Sequence, residues 1–504
     1  MIEQPHLISA TLGLPNAFAE AQSDFAILVE GNRITATGTR MALRQRYPDA
    51  AEQRFDHMLL MPALVNSHDH GRGLGTASLG IADDILEAWL LMLRTQPTIS
   101  PYLAAALDGL RLARSGVTLT AHSANPLDWR NMQTEAAETL RGYCDAGIRV
   151  AYHPPMVDQN PLVYDDEPGF IASLPAELQP AVQQMKGFAT LTTDEYIVLA
   201  DALFKQFHDV DNHTAHIQVS PAGGQWCSDT LILRCVAWAK LHGTRVQMHL
   251  LETRFQRQYA WRKWGKSFVM HLDEVGALGP WLTLAHMIWI DPGDILALAQ
   301  RGVAIAHNPG SNLRLRSGIA PLAHMQAAGI TLGIGLDGHA LDDDQDYLRE
   351  MRLAHTLSNL QLQQQTATAS LTSARAILHM GTHGGAQATL GANVPLGRLE
   401  AGMLADCVLL DLDFSIWDYV EDTTGLVEAL LNLTSRQHVR HVLANGEWVI
   451  RDGQHSRLNE RELLRQISDE LRRQPRPHQS STVSAAAAVA PFLKRFYERV
   501  VPTQ

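Results

Sequence analysis

The feature that most constrains this chain is a change of hydrophobic period between residues 61 and 387, where short apolar runs of strand length recur between helix-length amphipathic segments. The runs are LLMPALVNSH, GVTLTAHS, IRVAYHP, HIQVSP, RVQMHL, LTLAHM, VAIAHN and ITLGIGLD, eight in all. Helical stretches between them include DILEAWLLMLRT, YLAAALDGLRLARS, TLILRCVAWAKLHG and DILALAQRG; in the last, Asp291 or Asp294 can cap the start and Gly302 the end. Strands that alternate with helices pair in parallel through right-handed crossovers. Eight such units close into one (β/α)8 barrel with insertions, so the fold class is α/β with a TIM-like barrel. The flanks have a different texture. Residues 1–60 contain FAILVEGNRITATG with a turn at Gly31-Asn32, and residues 388–455 contain RHVLANGEWVIRDGQ with a hairpin signal at Asn445-Gly446. They read as two parts of one sheet domain beside the barrel. Residues 456–504 form a tail with helices in ERELLRQISDELRRQ and AAAAVAPFLKRFYERV.

Composition narrows the class of function. With 46% hydrophobic and 19% charged residues the chain can build a large core and lies far from the composition of disorder. A net charge of −12 argues against a surface that tracks a nucleic-acid backbone. No apolar stretch reaches the roughly 18 residues of a membrane span, and the N-terminus lacks a basic start followed by an apolar core. The four cysteines are too scattered for a disulfide framework or a zinc knuckle and read as buried thiols. The expectation is a cytoplasmic protein acting on a small molecule, with neither nucleic acid nor membrane as partner.

Histidines need care, because among 23 in 504 residues one HxH pair is expected by chance. Their positions carry more weight than their number. His68 and His70 end the first run, His249 the fifth and His286 the sixth, while Asp337 ends the eighth and Glu252 follows His249 by three residues. Side chains two apart on a strand point the same way, and barrel strand ends converge on one mouth, so these residues can meet around one ion. Read alone, His286 also fits a satisfied core histidine, and Glu252 a surface carboxylate at a helix start. His122, His153, His307 and His339 lie near other strand ends; His122 and His307 are candidates for the pocket lining, with a structural role the stronger reading for each. Trp89, Trp226, Trp261 and Trp264 fall in segments near the mouth and suit a flat substrate, or equally pack helices on the barrel. Arg72 in HDHGRG can meet a substrate carboxylate or carbonyl, or pair with Asp69.

The ordered motifs MPALVNSHDH, QMHLLET, LAHMIWI, AHNPGSNLRLRSGIAPL, LGIGLDG and PLGRLEAGMLADCVLLD resemble the amidohydrolase superfamily, in the branch with cytosine deaminase-like, S-adenosylhomocysteine deaminase-like and atrazine chlorohydrolase-like enzymes. The resemblance covers about residues 55–450. It implies a distorted barrel with a β-sandwich made from both chain ends, and homo-oligomers are common in such families. It implies His68, His70, His249 and Asp337 as ligands of a divalent metal, zinc first and Fe(II) as an alternative. It places His286 to polarise the attacked atom or orient water. Dinuclear relatives carry a bridging lysine after the fourth strand; HIQVSPAGGQW has none, so one metal is expected.

A bound divalent ion brings the pKa of water towards about 7. Asp337 can then hold that water and take its proton, while Glu252 protonates a ring nitrogen or passes the proton on. The reaction expected is hydrolysis of a non-peptide carbon–nitrogen bond, most simply deamination of an amino-substituted nitrogen heterocycle. Many deaminases of this branch carry a His-Ala-Pro-like sequence after the fourth strand, where this chain has Ser220-Pro221-Ala222-Gly223-Gly224. That departure keeps amide or urea hydrolysis open as an alternative, with azine dehalogenation behind it. A reading of a different class is a metal-binding barrel without catalysis, against which Glu252 and His286 both count.

Overall fold

A computed structural model describes residues 2–126, 129–185, 191–209, 213–365, 371–411, 425–475 and 480–500. The eight runs form eight parallel strands, Leu64–Asp69, Val117–Ser123, Arg149–His153, Ala215–Ile217, Val246–Leu250, Leu282–His286, Ala304–His307 and Thr331–Ile334. They pair in the order fifth, sixth, seventh, eighth, first, second, third, fourth. Single bridges, Val219 with Val246 and Gly223 with His249, close the ring between the fourth and fifth strands. The fourth strand is the shortest, and Pro221 beyond it has no N–H to donate to a ladder. The second and sixth strands are buried at every position, as strands with helices outside and a packed interior must be.

Helix ends follow their local chemistry. Helix Pro292–Arg301 begins after Asp291, whose amide donates to the Asp294 carboxylate at 3.0 Å, and ends at Gly302 with φ +67°. The turn Asn445-Gly446 has φ of +53° and +75°, the pair of left-handed residues that a two-residue hairpin needs.

Both chain ends build a second, eight-stranded sheet. Its order is Gln454–His455, Glu447–Arg451, Val439–Ala444, Cys407–Asp411, Ala51–Pro62, Ile2–Gly13, Gln22–Gly31 and Arg33–Thr39. Ile8, Ile27 and Val29 share one core with Cys407, Leu409 and Leu443, so the sheet folds over as a sandwich while its hydrogen bonding stays continuous. Alternate residues Leu59, Met61, Val408 and Leu410 face the other way, into the barrel's core. Arg149, at the start of the third barrel strand, bonds the Asp406 carboxylate at 2.8 Å, with both side chains buried. This pair locks the sandwich under the barrel.

Element boundaries differ from the sequence divisions. Strand Ala51–Pro62 runs two residues past the expected edge at 60, and the edge at 387 falls inside helix His383–Leu390. The tail is integrated rather than appended. Helix Glu460–Arg472 packs Leu463 and Ile467 on Leu103, Leu107 and Leu110, and helix Ser481–Val500 puts Ala486, Val489, Leu493 and Tyr497 into the main core. Cys227, Cys235 and Cys407 are buried, but Cys144 is exposed, because helix Met132–Ala146 turns position 144 outward while Tyr143 and Ala146 face the core. Among the described residues, no helix is long and apolar enough to cross a membrane.

Candidate active site

Ligand-capable atoms of His68, His249, His286 and Asp337 lie within 4.8 Å of one another at the C-terminal mouth of the barrel. His70 adjoins them, its Nε2 lying 3.2 Å from Asp337 Oδ1 and 3.3 Å from His249 Nε2. The tightest quartet therefore holds His286 where the expected ligand set has His70, and all five residues form one cluster.

Each imidazole is oriented through Nδ1. His70 and His249 donate from Nδ1 to the carbonyl oxygens of Ser123 at 3.0 Å and Ala222 at 2.5 Å. His68 donates to Gln247 Oε1 at 3.0 Å, and the Gln247 amide in turn donates to Ser67 O, which fixes which way that amide points. His286 Nδ1 lies 2.9 Å from Asn312 Oδ1. With protons on Nδ1, the Nε2 lone pairs point at one another and at Asp337 Oδ1. His68 Nε2 and Asp337 Oδ1 are 3.1 Å apart, yet both are buried without a well-formed hydrogen bond. So many converging lone pairs repel unless a cation or a proton lies between them. Neutral imidazoles with one carboxylate suit zinc or another divalent ion. The residues present therefore fit a metal.

The titration behaviour carries the same message. Burial holds His249 well below the ordinary imidazole range, and lowers His70 and His286 to about 4 each. In His68, burial works against protonation but the Asp337 carboxylate prevails and raises it. Burial works against an ionised Asp337, but the His68 and His70 imidazoles beside it, at 3.1 and 3.2 Å, hold it well below the usual carboxylate range. Asp337 Oδ2 also accepts from Ser311 Oγ at 2.6 Å. Backbone strain marks the same residues, since His286 has φ +75° and Asp337 +60°.

Glu252 is buried, not a surface carboxylate. Burial, then Asp337 and Glu87, push its carboxyl well above the usual range. Its Oε1 has no hydrogen-bond partner, and Oε2 lies 3.7 Å from His286 Nε2. Glu252, His70, His249, His286 and Asp337 line a cavity of about 640 Å³. That volume suits a small-molecule ligand.

Arg72, Trp89 and Trp226 also line this cavity. Arg72 does not pair with Asp69; it donates to Asp337 O at 3.0 Å and lies over the Trp89 ring at 5.2 Å. The Asp69 carboxylate is occupied by Asn66 and the amides of His70 and Gly71. His122 lies outside the main cavity. It lines a smaller adjoining cavity of about 80 Å³, and the Tyr143 hydroxyl, itself donating to Asp108, holds it at 2.8 Å. His307 is buried outside the cavity lining, because helix Pro309–Arg314 follows it directly and brings Ser311 and Asn312 to the site instead. Trp261 is half-exposed, and Trp264 stacks on His271 at 3.8 Å, so neither reaches the cavity.

Several residues of the site escaped sequence reasoning. Glu87, Tyr164 and Tyr497 line the cavity away from the histidines. Glu87 Oε1 accepts from the Tyr164 hydroxyl at 3.0 Å and from Thr253 at 2.7 Å, while its Oε2 is buried without a partner. A lone carboxylate inside the apolar helix Leu86–Leu93 is the signal that could have singled it out.

Comparison with known proteins extends the geometry. Residues 59–449 match the model of the amidohydrolase family, and 26–50 that of an imidazolonepropionase-like composite domain of bacteria. A 5'-deoxyadenosine deaminase of Methanopyrus kandleri is 28% identical over 451 residues, covering 88% of this chain and 93% of that one. A 5-methylthioadenosine/S-adenosylhomocysteine deaminase of Thermococcus kodakarensis is 29% identical, with 77% and 81% covered. Among solved structures, a zinc-bound adenosine deaminase from Xanthomonas campestris superimposes with a TM-score of 0.77 at 24% identity, covering 93% of this chain and 98% of its own. A zinc-bound atrazine chlorohydrolase mutant from Arthrobacter aurescens gives 0.78 at 21%, covering 92% and 100%. At such identities the two structures share the fold with this chain.

Proposed function

The chain belongs to the amidohydrolase family, and from that premise we propose that it is a metal-dependent aminohydrolase that removes the exocyclic amine of an amino-substituted nitrogen heterocycle, an adenine-type base above all. The observation that carries the reading is Glu252: a buried carboxyl, its pKa well above the usual range and Oε1 unpartnered, that lines the cavity beside His286. A carboxyl whose pKa is raised holds its proton further towards neutral pH and suits the role of an acid for a ring nitrogen.

His68, His249 and Asp337, with His70 and His286 beside them, would hold the metal, and we take zinc as the ion because the superimposable adenosine deaminase and chlorohydrolase hold it. Bound there, a divalent ion supplies an activated water at neutral pH. Asp337, ionised and steadied by Ser311, would accept a proton from the attacking water. Glu252 delivers its proton to the ring nitrogen beside the amine-bearing carbon, which makes that carbon electrophilic. His286, held by Asn312, lies close to both carboxylates, 3.7 Å from Glu252 and 3.8 Å from Asp337, and orients the attacking oxygen. The proton held by Asp337 then passes to the departing amine and the hydroxyl proton of the adduct returns to Glu252, so that water and the amine become a ring carbonyl and ammonia while the ring nitrogen keeps its proton. Trp89 and Trp226 supply flat walls for the base.

The relatives named as deaminases of 5'-deoxyadenosine and of 5-methylthioadenosine and S-adenosylhomocysteine set the first substrates to test. Zinc-reconstituted protein is to be incubated with these compounds, aminopyrimidines, aminotriazines, aryl amides and ureas, and ammonia, larger amines and halide measured separately. One ammonia per molecule consumed is expected, with an adenine-type compound the best substrate. A larger amine, or halide without ammonia, overturns deamination in favour of amide hydrolysis or dehalogenation.

A further inference from the structure

Helix Ser481–Val500 forms part of the cavity wall, because Ser481, Thr482 and Tyr497 line the same space as His249 and Asp337. The helix is held firmly in place. Val489, Leu493 and Tyr497 lie on one face and are buried in the main core, and Lys494 pairs with Asp84 just before helix Leu86–Leu93. The Tyr497 hydroxyl accepts from the Tyr164 amide at 3.2 Å, and its ring lies 5.2 Å from the Tyr164 ring at 63° and 4.8 Å from Phe255. Tyr164 then donates to Glu87. A continuous chain of contacts thus leads from the C-terminal helix to a buried carboxyl of the cavity, which Thr253, the neighbour of Glu252, also bonds.

We propose that the C-terminal helix is a specificity element of the site, with Tyr497 a positioning residue that sets the wall against which the substituent of the substrate, remote from the departing amine, is bound. The inference rests on the reading of the site as a deaminase for substituted nitrogen heterocycles. Its physical basis is that Tyr497 lines the cavity and holds the Tyr164 amide, while its ring packs on Tyr164, Phe255 and Phe496 and not on the clustered histidines, so it acts first on binding of the substituent. An unsubstituted base lacks the group that this wall would contact.

The test compares Tyr497→Phe and Tyr497→Ala with the unaltered full-length zinc enzyme on adenine, the base alone, and on 5'-deoxyadenosine, the base with its sugar. Tyr497→Ala is expected to raise KM for 5'-deoxyadenosine about tenfold more than KM for adenine, with kcat on the two compounds affected less than this difference in KM. Tyr497→Phe, which keeps the ring and loses only the acceptor for the Tyr164 amide, is expected to fall between. An unchanged KM ratio between the two compounds, or a loss of kcat on both that exceeds the change in that ratio, overturns the inference. If the unaltered enzyme deaminates neither compound, the deaminase reading is what has failed. Amide exchange of the same variants then decides the inference: loss of protection confined to residues 161–166 and 86–91, with 246–252 as protected as before, supports the linkage, and unchanged protection at 161–166 overturns it.

Discussion

The two ends of the cavity are built on opposite plans. At the metal end, His68, His70, His249, His286 and Asp337 sit on or just beyond barrel strands, and each histidine is clamped at Nδ1 by a neighbouring oxygen. At the far end, Glu87 comes from a short helix, Tyr164 from a loop and Tyr497 from the C-terminal helix, joined by hydrogen bonds spanning 77 and 333 positions of sequence. Rigid strand ends hold reacting groups to within fractions of an ångström, whereas loops and added helices vary the cavity without disturbing them. The contrast separates chemistry from selection, with Glu87 the link between them: it bonds Thr253, the neighbour of Glu252, and helps raise the Glu252 pKa.

The largest expected effect is removal of the metal. Dialysis against a chelator should abolish ammonia release, and added zinc should restore it in proportion to bound metal, measured by elemental analysis alongside activity. Retained turnover in the metal-free protein would mean that the histidine cluster is structural. Next comes Glu252→Gln, expected to lower kcat by about 10²–10⁴-fold with the metal content unchanged. Because the Glu252 pKa is raised, its acid form persists to higher pH than that of an ordinary carboxyl and is lost on the alkaline side of the shifted value. The alkaline limb of the kcat profile should therefore be present in the unaltered enzyme and absent from the residual activity of the variant. A variant that kept the same limb would assign it to another group.

A smaller effect is expected at the far end. Glu87→Gln keeps an acceptor for Tyr164 and Thr253 but puts an amide nitrogen where Oε2 has no partner, and should raise KM about tenfold, about 1.4 kcal/mol, with a fall in kcat far smaller than that of Glu252→Gln, because Glu87 supplies only part of the rise in the Glu252 pKa. A fall in kcat matching that of Glu252→Gln would erase the division between the two ends.

This division also explains what could be read from the sequence. The barrel was legible because a parallel strand covered on both faces leaves a short continuous apolar run, and because chemistry at a strand end leaves a polar residue at a fixed place in that run. His249 in RVQMHL and Asp337 in ITLGIGLD show both. The far wall leaves no periodic trace. Tyr497 occupies a helix position that reads as ordinary core, and its contact with Tyr164 exists only once the tail has folded back on the helix at residues 86–93. His122 and His307 were offered for the pocket by the strand-end rule, which locates a side chain along the barrel but does not say which way the following backbone carries it.

The smallest effect on activity, and the finest probe of how the metal end is held, lies at Glu350. This buried carboxyl accepts the Gly310 amide at 2.6 Å and so anchors helix Pro309–Arg314, which carries Ser311 to Asp337 and Asn312 to His286. Burial pushes its pKa up to about 8, so the folded protein keeps a proton that the unfolded chain sheds above the ordinary carboxylate value of 4.5. Between those two values the unfolded state binds fewer protons, and stability falls as pH rises, by at most about 1.4 kcal/mol per pH unit. Glutamine accepts the same amide and cannot ionise. Thermal unfolding at pH 5, 7 and 9 should therefore show Glu350→Gln declining less than the unaltered protein across this window, the two lying closest at pH 5, with kcat at pH 7 nearly equal. Parallel declines would show that Glu350 is ionised in the folded protein and that the loop beneath Asp337 is held by a charge rather than by a neutral acceptor.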